Sequence, residues 1–183
     1  MKQWAIAVGV LLAVAVVQCY ALPYFRVAGV RFDLMMAVLI AWAFVRGIDE
    51  GMVVVPLGAF MVSFFSLEPL GASVIAYSPV VPLAMVRNIN AIESELLLAA
   101  AVALAATFLQ SILYLIVLDG TGYAPDWSRG MIEVSIPAAF MNMVAAPLLI
   151  LAWRRAQRGR SQTTSGLTFT NVRRSRGRRL EFR

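Results

Sequence analysis

The chain has 183 residues, 61% of them hydrophobic and 14% charged, with a mean hydropathy of +0.78. Ordinary soluble domains are roughly 45–50% apolar and about 25% charged. One soluble core of this size does not bury that much apolar surface, which argues against a soluble enzyme and against a largely disordered chain. The expected class is all-α: a polytopic membrane helical bundle over residues 1–153 with a basic cytoplasmic tail over residues 154–183. The chain contains no His, which removes His-based triads, His–metal sites and haem ligation by His. Its one Cys, Cys19, lies in an apolar run and reads as a packing residue. No metal site and no cofactor are expected.

Charge is uneven. Residues 1–153 carry 6 Lys+Arg and 9 Asp+Glu, whereas residues 154–183 carry 10 Arg and 1 Glu. The sequence pI of about 10.2 therefore belongs to the tail.

In chain order, Trp4 to Pro23 is an apolar run long enough to cross about 30 Å of hydrocarbon as a helix. A signal peptide competes for this stretch. Its h-region would be too long, and Leu22-Pro23-Tyr24 is a poor cleavage site, so a retained helix is expected. Leu34 to Val45 is short for a span and reads as a tilted or re-entrant segment. Gly51 to Leu67 contains Pro56, Gly58 and Ser63; Leu70 to Val86 contains Gly71, Pro79 and Pro82. Segments two to four therefore read as short, kinked and packed inside protein. Leu96 to Leu118 is uncharged and is the clearest span. Asp119 to Asp126, with its Gly and Pro, is loop chemistry. Met131 to Trp153 is the sixth run, with Pro137 and Pro147 inside it.

Six crossings put both termini on one side. With the termini inside, the cytoplasm holds 13 Lys and Arg against 3 outside, so both termini are expected in the cytoplasm. Five crossings would move only the N-terminus outside.

Small residues recur every four positions: Ala5, Gly9 and Ala13, then Ala37 and Ala41, then Ala99 and Ala103. Such faces let helices approach closely, within the bundle or against a partner's helix. Glu133 reads as an interfacial carboxylate paired with Arg129 one turn earlier. Asp33, Asp49, Glu50, Glu68 and Asp119 read as solvated span boundaries. Gln110 and Asn142 suit interhelical hydrogen bonds better than a ligand. The tail arginines, among them Arg154, Arg155, Arg158, Arg160, Arg173 and Arg174, suit topology and anionic lipid headgroups. With only Phe169 and Phe182 as aromatic neighbours, nucleic acid is the weakest reading. No nucleophile–base pair, phosphate loop or metal spacing appears, so nothing argues for an enzyme.

The stretch VRFDLMMAVLIAWAFVRGIDEGMVVVPLGAFMVSFFSLEPLG, Val30 to Gly71, resembles MreD, the rod shape-determining membrane protein family of bacteria. The family has an Arg-Pro-Asp-Leu entry, a Gly-bounded charged turn, and a Gly-rich helix ending near a Leu-Gly pair. Arg31, Asp33 and Leu34 match the entry. Arg46, Gly47 and Gly51 match the turn, and Gly58 with Pro69, Leu70 and Gly71 the end. Departures are Phe32 for the entry Pro, Ser63 for the usual late Asp, and Leu67 for a Gly. The resemblance implies a non-catalytic scaffold of cell elongation. It would bind a single-span MreC-like protein and link MreB filaments with the RodA–PBP2 pair in cell wall biogenesis. It also implies a bundle like that of the substrate-binding S components of ECF vitamin transporters, which supplies the alternative function.

The topology is directly testable. A cysteine placed at position 160 should react with a thiol reagent only from the cytoplasmic side. Labelling of intact cells by an impermeant reagent would reverse the orientation.

Overall fold

A computed structural model describes residues 2–24, 26–27, 30–31, 33–66, 71–89 and 94–177. The chain divides into two units, Met1–Ile150 and Leu151–Arg183. The first is a helical bundle. Helix α1 (Lys2–Val16) runs into a π-helical turn, Val17–Ala21, and a 3-10 turn, Leu22–Tyr24. Two two-residue strands follow, β1 (Arg26–Val27) and β2 (Val30–Arg31). They pair antiparallel, with Arg26 opposite Arg31. Then come α2 (Leu34–Arg46), α3 (Ile48–Phe65), α4 (Ala72–Tyr77) and α5 (Val80–Ala84), the last continued by a 3-10 turn, Met85–Ile89. Helix α6 (Glu95–Gly120) is followed by α7 (Trp127–Arg129), a π-helical segment, Gly130–Ser135, and α8 (Ile136–Gly177).

Among the described residues, four helical stretches are long and apolar enough to cross a membrane: Trp4–Ala21, Ile48–Phe65, Glu95–Gly120 and Trp127–Arg158. Leu34–Arg46 and Ala72–Arg87 are apolar but shorter. The outward faces are apolar too. Ile6 is 64% exposed, Phe64 68% and Leu148 58%. Water would not tolerate so continuous an apolar surface, whereas hydrocarbon would. The architecture is compatible with a multi-pass membrane protein.

Helix α2 is the centre of the bundle. Met35 to Phe44 are all buried, so the helix shows no lipid-facing side. A helix apolar all round belongs in a core, and α1, α3, α5 and α6 all pack on it. Its length of 13 residues, about 20 Å at 1.5 Å per residue, is that of a core element rather than of a thin span. The expectation that the third run is short is corrected. Helix α3 continues through Pro56 for 18 residues; the carbonyl and amide freed by one Pro are tolerated inside a packed bundle. The fourth run does break, at Ser78 and Pro79 between α4 and α5.

The α2–α3 hairpin depends on three glycines. Gly47 turns the chain at φ +97, a conformation that L side chains rarely adopt. Gly51 and Gly58 then let α3 lie close to α2. A Cβ on Gly51 would meet the Ala43 Cβ at 3.4 Å. One on Gly58 would meet Leu39 Cδ2 at 3.0 Å, Met35 Sδ at 3.2 Å and Leu11 Cδ2 at 3.3 Å. Gly58 is thus the point where α1, α2 and α3 converge.

The second unit, Leu151–Arg183, continues as helix to Gly177. No Pro interrupts residues 148–177, and Ala, Arg and Gln after Trp153 are good helix formers.

Crowding at Gly58 separates two substitutions. Gly58→Ala should shift stability by no more than about 1 kcal/mol, because the three contacting atoms are ends of flexible side chains and Ala gains helix propensity. Gly58→Leu should cost about 3 kcal/mol or more by driving α1, α2 and α3 apart. Thermal unfolding of the two purified variants in mild detergent measures the difference; equal midpoints would contradict the close approach.

Candidate functional site around Asp33

The site begins with a helix end. The first amides of a helix have no partner of their own, and those of α2 lie in an apolar bundle where an unmade hydrogen bond is costly. Asp33, the N-cap of α2, accepts from the Met36 N–H at 2.9 Å through Oδ1. The Met35 N–H donates to Gln18 Oε1 at 2.6 Å. Gln18 in turn donates through Nε2 to Asp33 Oδ1 at 3.0 Å. The Gln18 amide therefore has a fixed orientation, oxygen to the helix and nitrogen to the carboxylate.

Two more elements reach the same carboxylate. The Tyr77 hydroxyl of α4 lies 2.8 Å from Asp33 Oδ2 and 2.9 Å from Oδ1. Gln110 of α6 donates through Nε2 to Oδ2 at 2.9 Å. Gln18 Nε2 also lies 3.4 Å from the Tyr77 oxygen. Side chains 15, 44 and 77 residues away in sequence thus converge on one group. The π-helical turn at Val17–Ala21 carries Gln18. A π turn shifts the helix register locally, and such turns concentrate at functional sites.

Every polar partner seen at the carboxylate is a donor. This set suits an anion held by neutral hydrogen bonds and does not suit a metal ion, which would compete with N–H and O–H groups aimed at the same oxygens. The expectation that Asp33 is a solvated boundary residue is corrected: it is half-buried and joins α1, α2, α4 and α6.

The other end of α2 is held separately. Arg87 Nη1 donates to the Phe44 carbonyl, and Arg87 Nε lies 3.5 Å from Glu95 Oε1. Arg46 and Glu50 pair at 3.6 Å, and the Trp42 indole N–H reaches Glu50 at 3.3 Å. Deeper in the bundle, Asn142 Nδ2 of α8 donates to Thr107 Oγ1 of α6 at 3.0 Å, and the Thr107 hydroxyl donates to the Ala103 carbonyl at 2.7 Å. Gln110 and Asn142 make the interhelical bonds expected of them. Glu133 pairs with Arg129 at 2.9 Å, also as expected. Outside the spans, Asp126 accepts from the Arg129 N–H, which lowers its carboxyl below the ordinary value.

The small-residue faces separate into two kinds. Ala99 and Ala103 are fully buried, as are Ala37 and Ala41. Ala99 and Ala103 therefore take the first of the two roles such a face allows, packing within their own bundle. On α1 the buried stripe is Ala7, Leu11 and Ala15, and Ala5, Gly9 and Ala13 face outward. A Cβ on Gly9 would meet nothing within 4 Å.

Among the residues matching the family pattern, Asp33, Gly47, Gly51 and Gly58 hold the positions given above. Gly71 precedes α4 at φ +94. Ser63 is buried, and its hydroxyl has no hydrogen-bond partner. Arg31 lies on β2. Glu68, Pro69 and Leu70 lie outside the described residues. In the tail, Arg154 is half-buried and Arg155 and Arg158 are exposed; the side chains of Arg160, Arg173 and Arg174 lie outside the described set. Sequence reasoning missed Gln18 and Tyr77. A Gln near the end of an apolar run was the available signal for the first. Tyr77 carried none.

Comparison with family models, with curated proteins and with solved structures gives no match.

Removing the carboxylate leaves up to four donors without their acceptor, at about 1–3 kcal/mol for each one left unpaired. Asp33→Ala should therefore lower stability by several kcal/mol, on the order of 3–5 after water and side chains relax. Gln110→Leu removes one donor only and should cost about 1 kcal/mol. Unfolding midpoints of the two variants in detergent check this; an unaltered Asp33→Ala protein would show that the cluster holds nothing together.

Proposed function

We propose that this chain is a non-catalytic, multi-pass subunit of the bacterial cell-elongation complex, similar to the MreD family. It binds a single-span MreC-like membrane protein and so links MreB filaments to RodA–PBP2 during cell wall synthesis. In this reading it sits in the inner membrane with six membrane segments and both termini in the cytoplasm. One observation carries the proposal. Within Val30–Gly71, the residues that match the family pattern also make the α2–α3 core: Asp33 caps and ties α2, Gly47 makes the turn, and Gly58 admits α1 and α2 against α3.

The outward face of α1 supports a scaffolding role. Gly in a helix costs roughly 1 kcal/mol relative to Ala, and at Gly9 the chain's own packing gives no return for that cost. A partner helix crossing at Ala5, Gly9 and Ala13 would use it through close backbone approach.

The convergence of polar groups on Asp33 favours a second reading, the substrate-binding S component of an ECF-type vitamin transporter. Such a component needs a few polar groups gathered in an apolar surround. Here the donors are already engaged with Asp33, which favours the scaffold.

Two substitutions distinguish partner contact from packing. Gly9→Leu should leave stability unchanged or raise it by up to about 1 kcal/mol yet reduce co-purification with an MreC-like partner. Ala103→Leu should destabilise the bundle itself by about 1–3 kcal/mol through overpacking. Tight binding of a vitamin by the purified chain, with no retention of the partner, would instead establish the transporter reading.

A further inference from the structure

We propose that the inserted bundle, whichever partner α1 meets, thins the bilayer along its α3 and α4–α5 side and so brings the lipid surface at that end down to the level of Asp33.

Neighbouring elements differ in apolar length. Asp49 and Glu50 occupy the first turn of α3. Residues 51–65, the apolar remainder of that helix, are about 15 in number and about 22 Å long. The adjoining apolar stretch Ala72–Arg87 is about 24 Å long. On α6, the uncharged residues 96–118 extend over about 35 Å. Hydrocarbon is about 30 Å thick. Helix α6 reaches across it, whereas α3 and α4–α5 fall about 6–8 Å short.

These lengths start from one layer. Arg46 pairs with Glu50, and Arg87 pairs with Glu95 and donates to the Phe44 carbonyl near the end of α2. Glu50, Arg87 and Glu95 therefore share a level. At the opposite end, Asp33 joins Tyr77 and Gln110. Gln110 is about 22 Å from Glu95 along α6, in keeping with the 13 residues of α2. Helix α6 continues about 15 Å past Gln110. Helix α3 stops sooner. Gly58 packs at the level of Met35 and Leu39, so Phe65 is about one turn past Asp33.

A bilayer of even thickness would leave Asp33 about 8 Å inside the hydrocarbon. A half-buried carboxylate is costly at that depth. The non-helical strands β1 and β2 lead directly to it, and such backbone is not tolerated against lipid. Both features are accommodated if the lipid surface descends to them. Short helices otherwise call on snorkelling cations. None is available, because no Lys or Arg occurs between Phe65 and Ala72. The exposed side chains Phe60, Phe64, Ile75 and Met85 are apolar, so acyl chains are what this side meets.

The full chain carrying Cys19→Ala is given a polarity-sensitive fluorophore at Phe64→Cys or at Leu109→Cys, both exposed positions. Each is about 21 Å from its glutamate, Glu50 or Glu95. In dioleoyl phosphatidylcholine vesicles with iodide on both sides, quenching should be severalfold stronger at position 64. Mid-chain lipid-borne quenchers should favour position 109. The difference should shrink in dimyristoleoyl phosphatidylcholine, whose hydrocarbon already matches α3. Equal depths in dioleoyl vesicles would overturn the proposal. Shielding of position 64 from both kinds of quencher would show that another chain covers this side. A label at Val53→Cys lying much deeper than one at Leu97→Cys would show that the bundle tilts instead. Absence of lipid-borne quenching at position 109 would remove membrane insertion itself, a separate failure.

Discussion

A single carboxylate decides how this bundle is assembled. A helix of 13 residues, apolar on every side, has no reason to sit at one depth among longer apolar neighbours. Dispersion contacts alone allow it to slide. Hydrogen bonds do not, because a buried donor without an acceptor costs more than a bond is worth. Asp33 gathers the α2 N-terminus, Gln18, Tyr77 and Gln110 on its two oxygens. Four segments far apart in sequence thereby acquire one register. Arg87 closes the other end on the Phe44 carbonyl.

The rest of the packing follows from α2 being held at both ends. Its entire surface is available to neighbours, so α1, α3, α5 and α6 can pack around it and still leave their outer faces apolar. Close approach to α2 is obtained at Gly51 and Gly58 on α3, and the buried faces of α1 and α6 also carry small residues: Ala7 and Ala15, and Ala99, Ala103 and Ala106. Where small residues have no internal counterpart, at Ala5, Gly9 and Ala13, the surface is open to another molecule. Small-xxx-small spacing has the same form in both cases, and burial alone separates them.

Polar groups in the bundle differ in how completely they are used. Around Asp33 both carboxylate oxygens have partners. Elsewhere, Ser63 Oγ and the Asn142 Oδ1 are buried without one. The second layer, Asn142 to Thr107, contributes a direct interhelical bond and leaves one acceptor idle. A fully satisfied network specifies one arrangement, whereas a partly satisfied one gives up some of that advantage. The hierarchy places the specificity of the fold at the Asp33 layer rather than at the middle of the longest helices.

The sequence by itself determined the class of this protein: long apolar runs with few charges leave helices as the only economical way to satisfy the backbone. Gln110 and Asn142 were legible as interhelical bonds because a polar amide deep in an apolar run has few alternatives. The pairing of Glu133 with Arg129 was legible because four-residue spacing puts both on one helical face. Tertiary structure alone decided three things. It made the shortest apolar run the core, since Leu34 to Val45 reads as a tilted span or a re-entrant segment until its neighbours are known. It turned Asp33 from a boundary residue into the hub, because its partners Gln18, Tyr77 and Gln110 come from three other elements and no local spacing connects them. It also divided the small-residue stripes, burying Ala99 and Ala103 and leaving Gly9 open, because helical periodicity assigns residues to a common face but does not say what that face meets.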